Sequence, residues 1–76
     1  MEGRRVRRIK FERTSRRLSQ HAVASRTNIR QPIISRIERG RRLPTAAQLI
    51  RLSEFFNVAP DDLLKDVAVA SKEAEA

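Results

Sequence analysis

The sequence predicts an all-α domain built from five short helices. Three observations carry that expectation. No stretch alternates apolar and polar residues over a useful strand length. Capping residues such as Ser19 and Thr45 precede apolar-periodic segments, and Asn28, Gly40 and Asn57 follow them. The chain has 76 residues and no internal repeat, which is the size of one domain with a short tail. The expected division is a domain over residues 1–64, and a tail over 65–76 that extends the last helix or is disordered.

The first helix is expected within residues 4–17. Val6, Ile9 and Arg13 fall at i, i+3 and i+7, an amphipathic stripe ending in arginine. Arg16 and Arg17 close it, where cations suit the helix dipole. Ser19 caps a second helix over roughly residues 20–26, with Ala22, Val23 and Ala24 as apolar content. Asn28 follows, a residue that tolerates the left-handed conformation of a tight turn. The third helix begins near residues 30–32. Pro32 suits a first turn, and Gln31, which precedes it, lies at or just inside the boundary. Ile34 and Ile37 define its buried side, and Gly40 stops it.

Residues 41–44 (RRLP) form a linker. Thr45 opens the fourth helix with Gln48 three residues on, a capping box. Leu49, Leu52, Ser53 and Phe56 then share one face, and Asn57 ends the helix. Pro60, Asp61 and Asp62 start a fifth helix with Leu63 and Leu64, its acids placed where the dipole favours them.

Charge narrows the function. Lys and Arg number 17 against 9 Asp and Glu, a net charge of +8. Fourteen of the cations are arginine, whose planar fork suits phosphate and guanine edges. Residues 1–42 carry a net +11 and residues 43–76 a net −3, so one side of the molecule faces a polyanion. Cysteine is absent, which excludes disulfides, thiolate metal sites and thiol catalysis and fits a reducing cytoplasm. Trp and Tyr are absent too, leaving little stacking surface for single strands. No apolar run approaches the ~18 residues of a membrane span. The basic N-terminus is followed by no apolar stretch, so it is not read as a secretory signal.

Nothing points to an enzyme. Ser15, Ser19 and His21 lie close in sequence but lack a nucleophile elbow or an oxyanion loop. Asp61 and Asp62 are helix-start acids, and His21 alone cannot build a metal site. No catalytic residue, metal or cofactor is expected.

Two short helices joined by a tight turn over residues 20–39, inside a basic protein, suggest a helix-turn-helix. A plain helical bundle would show the same caps. The residues go further. Leu18-Ser19-Gln20, Val23-Ala24, Asn28-Ile29, the run Ile34-Ser35-Arg36-Ile37-Glu38-Arg39-Gly40, and Pro44 before Leu49 resemble the lambda-repressor/Cro-like (XRE-type) helix-turn-helix family. The resemblance covers about residues 6–64. It implies a compact five-helix domain whose third helix enters the DNA major groove N-terminus first, while the second crosses the phosphate backbone. The implied function is sequence-specific binding of double-stranded DNA by a transcriptional regulator. It is taken as a repressor, bacterial or phage-encoded, that binds a palindromic operator as a homodimer in the cytoplasm, associated with the nucleoid through its DNA. An antitoxin-like or restriction-modification controller protein is the alternative, with RNA polymerase or a toxin as protein partner. Sequence-blind binding of RNA or an anionic membrane through the arginines is a further one.

The resemblance also assigns residues. Gln31, Pro32 and Ile33 are the expected base-reading residues, with Ile33 weighed against a core position. Ser35 and Arg36 lie further along the groove face. Gln20 and Arg30 are expected at phosphates, and Arg39, Arg41 and Arg42 clamp the backbone beyond. Arg4, Arg5, Arg7 and Arg8 stand between added phosphate contacts and a solvated helix start. Arg13 of the first helix and Glu38 are expected to pair. Four departures stand out. Arg30 replaces a capping Ser or Thr, and Asn28 replaces the turn glycine. Glu12 replaces a core leucine, and Ala59 replaces a capping Ser. The dimer seam is expected around the fifth helix, through Phe55, Val58, Pro60, Leu64 and Val67, away from the +11 half.

Overall fold

Local caps decide where most of the helices begin and end. The computed structural model describes residues 4–69. In chain order it contains β1 (Arg4–Arg7), α1 (Arg8–Ser15), α2 (Gln20–Thr27), α3 (Gln31–Glu38), α4 (Ala46–Phe56), α5 (Pro60–Leu63) and β2 (Asp66–Val69). The Ser19 hydroxyl accepts the Ala22 N–H at 3.0 Å and starts α2. Asn28 ends it in the left-handed region at φ 57°. Thr45 and Gln48 form the expected reciprocal box, with Thr45 N to Gln48 Oε1 at 3.0 Å and Gln48 N to Thr45 Oγ1 at 3.1 Å. Asn57, at φ 57°, closes α4. Arg30 and Ala59 precede α3 and α5 without a side-chain cap, as their chemistry requires.

The core is one cluster: Ile9, Val23, Ile29, Ile34, Ile37, Leu52, Phe56 and Leu63. Every helix contributes to it, as does the turn between α2 and α3. Leu18, Ala24, Ile33, Leu49, Phe55, Val58 and Leu64 are partly buried against it. Small domains bury a limited share of their surface, so these half-buried side chains are needed by the monomer. Phe55, Val58 and Leu64, expected at a dimer seam, pack against this chain's own core, while among the described residues the exposed large apolar side chains are Leu43 (72% exposed) and Ile50 (53%).

The ends of the domain also differ from expectation. The all-α reading misses a two-stranded antiparallel ribbon in which Arg4, Arg5, Val6 and Arg7 pair with Val69, Ala68, Val67 and Asp66. Val6 therefore belongs to a strand, not to a helical stripe. Residues 66–69 do not extend α5; the rest of the tail, from residue 70, lies outside the described residues. The physical reason is a long-range pairing. Val6 meets Val67, and the cationic Arg7 lies opposite Asp66, so each strand is favoured only by the other. The Arg8 N–H continues the ribbon to the Lys65 carbonyl at 2.7 Å.

Glu12, standing in place of an apolar residue, is 7% exposed. Arg8 Nε donates to its Oε2 at 2.5 Å, and Arg16 donates to its Oε1. Arg16 also donates to the Phe56 carbonyl at 3.0 Å and stacks over the Phe56 ring at 5.2 Å. An ion triad thus ties α1 to the end of α4. Burial pushes the Glu12 carboxyl up, but hydrogen bonds and charge from Arg16 and Arg8 outweigh it and hold the group below its ordinary value. A carboxylate with a depressed folded pKa stabilises above its unfolded value and loses that stability as pH falls through the folded one. Stability to urea should therefore fall as pH drops below about 4.3, and Glu12→Gln should remove part of that dependence. An unaltered acid dependence in the variant would place the titration elsewhere.

Candidate nucleic-acid interface

The start of α3 is where the fold concentrates polar side chains that have defined partners. Arg13, on α1, reaches across to Glu38 at the end of α3. Its Nε donates to Glu38 Oε2 at 2.6 Å and its Nη2 to Oε1 at 2.9 Å. The remaining Nη1 donates to the Leu18 carbonyl at 2.8 Å, ahead of α2. The Glu38 side chain is 3% exposed and that of Arg13 is 12%, so this is a nearly buried fork-to-fork pair.

Glu38 Oε1 accepts one further bond, from Gln20 Nε2 at 3.0 Å. A carboxylate only accepts, so the Gln20 amide must turn its nitrogen toward Glu38 and its oxygen away. That oxygen accepts from Gln31 Nε2 at 2.7 Å. Gln31 thus donates to Gln20 and Gln20 to Glu38, a directed chain whose direction is set by the acceptor-only carboxylate, which Arg13 pairs from its other side. It leaves Gln31, the first residue of α3, with one amide N–H and its carbonyl oxygen unengaged among the described residues.

The other expected residues fall as follows. Pro32 is exposed on the first turn of α3, and Ser35 is half-buried. Arg30, Arg36, Arg39, Arg41 and Arg42 are exposed, and no ion pair among the described residues involves them. Ile33 is half-buried and packs against the core cluster, so only part of it is left for any other surface. It points less cleanly away from Ile34 than helical spacing implies, because a core this thin draws in its neighbours. Gln20 is half-buried and held by Glu38 and Gln31, which adds an orienting role to its expected phosphate contact.

The N-terminal arginines do not act as one group. Arg8 is taken up by Glu12. Arg7 donates from Nη1 to the Leu64 carbonyl at 2.8 Å, and Arg5 lies 3.4 Å from the Asp66 carbonyl. Sequence reasoning does not single out Lys10. Lys10, on α1, lines one cleft with Arg39 and with Arg5 and Arg7 of the ribbon, a grouping that only the long-range pairing reveals. Arg17 follows α1 in the left-handed region at φ 58°, a conformation that costs a non-glycine residue and turns the chain into α2. No group of three or more His, Cys, Asp or Glu able to hold a metal is found among the described residues, and His21 is exposed. No helix among them is long and apolar enough to cross a membrane.

A family model described as helix-turn-helix matches residues 9–63, most of the chain, and contains every residue of the Arg13–Gln31 relay. No curated protein and no solved structure matches the chain.

Removing one member of a buried pair strands the other charge. Glu38→Ala should cost about 3–5 kcal/mol in denaturant unfolding, and the paired change Arg13→Met with Glu38→Leu should recover most of it. A loss under about 1 kcal/mol in the single variant would show that the pair is solvated rather than structural.

Proposed function

The chain belongs to the lambda-repressor-like (XRE) helix-turn-helix family, and from that premise we propose that it is a sequence-specific, double-stranded DNA-binding transcriptional regulator. The observation that carries the reading is the oriented amide of Gln31. One N–H and one carbonyl oxygen remain on that amide after its bond to Gln20. Those two groups match adenine N7 and N6 in the major groove, the bidentate pairing open to glutamine. A free glutamine would have to give up rotamer freedom on binding; this one is held by a hydrogen bond before DNA arrives.

Around it the roles divide by chemistry. Pro32 and the uncovered part of Ile33 offer apolar contact to a thymine methyl, and Ser35 lies further along the same face. Arg36 faces base edges or phosphate. Gln20 and Arg30 flank the mouth of the groove at the phosphates. Arg39, Arg41 and Arg42 hold the backbone beyond the helix. These phosphate contacts supply affinity without sequence information.

The regulator acts as a repressor, by occupying a palindromic operator as a homodimer. A second copy would cover the exposed Leu43 and Ile50 rather than the surface around α5. Ile50 and its neighbour Glu54 belong to the half of the chain that carries net negative charge, so pairing there keeps the two +11 halves apart.

Selection from random duplex DNA should return a two-fold symmetric site. On that site Gln31→Ala should cost about 1–3 kcal/mol and change binding to random duplex little. Arg41→Ala should weaken both alike and lower the salt slope by about 1. Equal weakening of both duplexes by Gln31→Ala would contradict the reading face, and an asymmetric site would contradict the dimer.

A further inference from the structure

The terminal ribbon and the end of α3 enclose a cleft of about 310 Å³ that the reading head does not use. Arg5, Arg7, Lys10 and Arg39 line it, with Asp66 and the edge of Glu38. None of those four cations is in an ion pair among the described residues. Glu38 is already neutralised by Arg13. Asp66 contributes one exposed charge, and the C-terminus of α3 contributes about half a charge more. Four cations therefore converge with well under half of their charge offset nearby.

The cleft is also built rather than incidental. Arg7 is half-buried and anchored by its bond to the Leu64 carbonyl at 2.8 Å. Its guanidinium lies close enough to Gly40 that a Cβ there would sit 2.8 Å from Nη2. Gly40 itself adopts φ 72°, which ends α3 and lets the arginine close over the backbone. Arg7 thus has a fixed position, lines the cleft, and has guanidinium donors beyond the one given to Leu64. Arg39 is the first of the three cations that continue into the linker, so the cleft joins the ribbon to the proposed DNA surface.

We propose that this cleft between the ribbon and the end of α3 is a phosphate-binding site, with Arg5, Lys10 and Arg39 as ligands and Arg7 as the anchored donor. It grips the DNA backbone outside the stretch that α3 reads. The proposal rests on the DNA-binding reading for the source of its phosphate, but not on which bases are read. The ribbon acquires a purpose as well, since the strand pairing holds Arg5 and Arg7 beside Lys10 and Arg39.

The test uses the full chain and a random-sequence duplex, on which base reading has no effect. The slope of log affinity against log salt should fall by about 2 for Arg5→Ala with Lys10→Ala, and by about 1 for Lys10→Gln alone. Lys10→Gln guards against a folding artefact, because the Lys10 side chain donates no hydrogen bond among the described residues. The preference for a selected site over random duplex should stay within about twofold of the parent protein, since phosphate contacts carry no sequence information. Calorimetry with tripolyphosphate separates the sources. A slope unchanged by the variants, together with tripolyphosphate binding that they abolish, would keep the phosphate cleft and assign it to a free polyphosphate. Unchanged slopes with no variant-sensitive tripolyphosphate binding would overturn the site. A reduced slope in a protein that shows no sequence preference at all would uphold the cleft and reject the reading face instead.

Discussion

A carboxylate buried in an 8.8 kDa domain must be paired, and Glu38 is the one on which the arrangement of this molecule turns. Its side chain is 3% exposed, so its two oxygens need donors from the protein itself. Arg13 supplies two of them from α1, and Gln20 supplies a third from α2. Three helices are thereby brought to one carboxyl group at the end of α3. The same geometry settles the orientation of Gln20 and, through it, of Gln31 at the opposite end of α3. On the proposed DNA-binding reading, a stability constraint and a recognition constraint are met by the same atoms, so that the half-buried Gln31 amide is held before any ligand arrives.

Glu12 meets the same problem differently. Its partners Arg8 and Arg16 come from its own helix or the residue that closes it, and the gain is attachment of α1 to the Phe56 carbonyl of α4. Successive residues along this segment therefore act as struts: Ile9 enters the core, Arg13 secures the reading unit and Arg16 secures α4. A thin apolar core leaves room for such struts, and the strongly basic composition supplies them. The exposed arginines other than Arg16 are a separate population, without ion partners among the described residues, and it is they that give the surface its field.

The parts of this structure legible in the sequence are those set by neighbours in the chain. Ser19, Asn28, the Thr45–Gln48 box and Asn57 act over three or four residues, and each helix end they mark lies within a residue or two of its expected place. The Arg13–Glu38 pair is legible only through family resemblance, not through spacing, because 25 residues separate the partners. The ribbon is not legible, since RRVR carries no strand signal until DVAV, near the other end of the chain, lies beside it. Lys10 is hidden for the same reason. How far each apolar side chain is exposed is not legible either, because exposure depends on how much of each half-buried side chain the core takes up. Phe55, Val58 and Leu64 are taken up where Leu43 and Ile50 are not. Of the relay, Arg13, Glu38, Gln20 and Gln31 are each singled out in the sequence, but their order of hydrogen bonding is not legible there.

The central claim is that the buried carboxylate acts on recognition through Gln31. A double-mutant cycle on DNA preference measures that coupling directly. Glu38→Gln, which keeps shape but frees the Gln20 amide to turn, is combined with Gln31→Ala, under conditions where all four proteins are folded. The account predicts that Glu38→Gln lowers the ratio of specific to random binding in the parent background and has almost no further effect once Gln31 is gone. Equal losses of preference in the two backgrounds would contradict it, and would reduce the Arg13–Glu38 pair to a structural tie with no part in reading DNA.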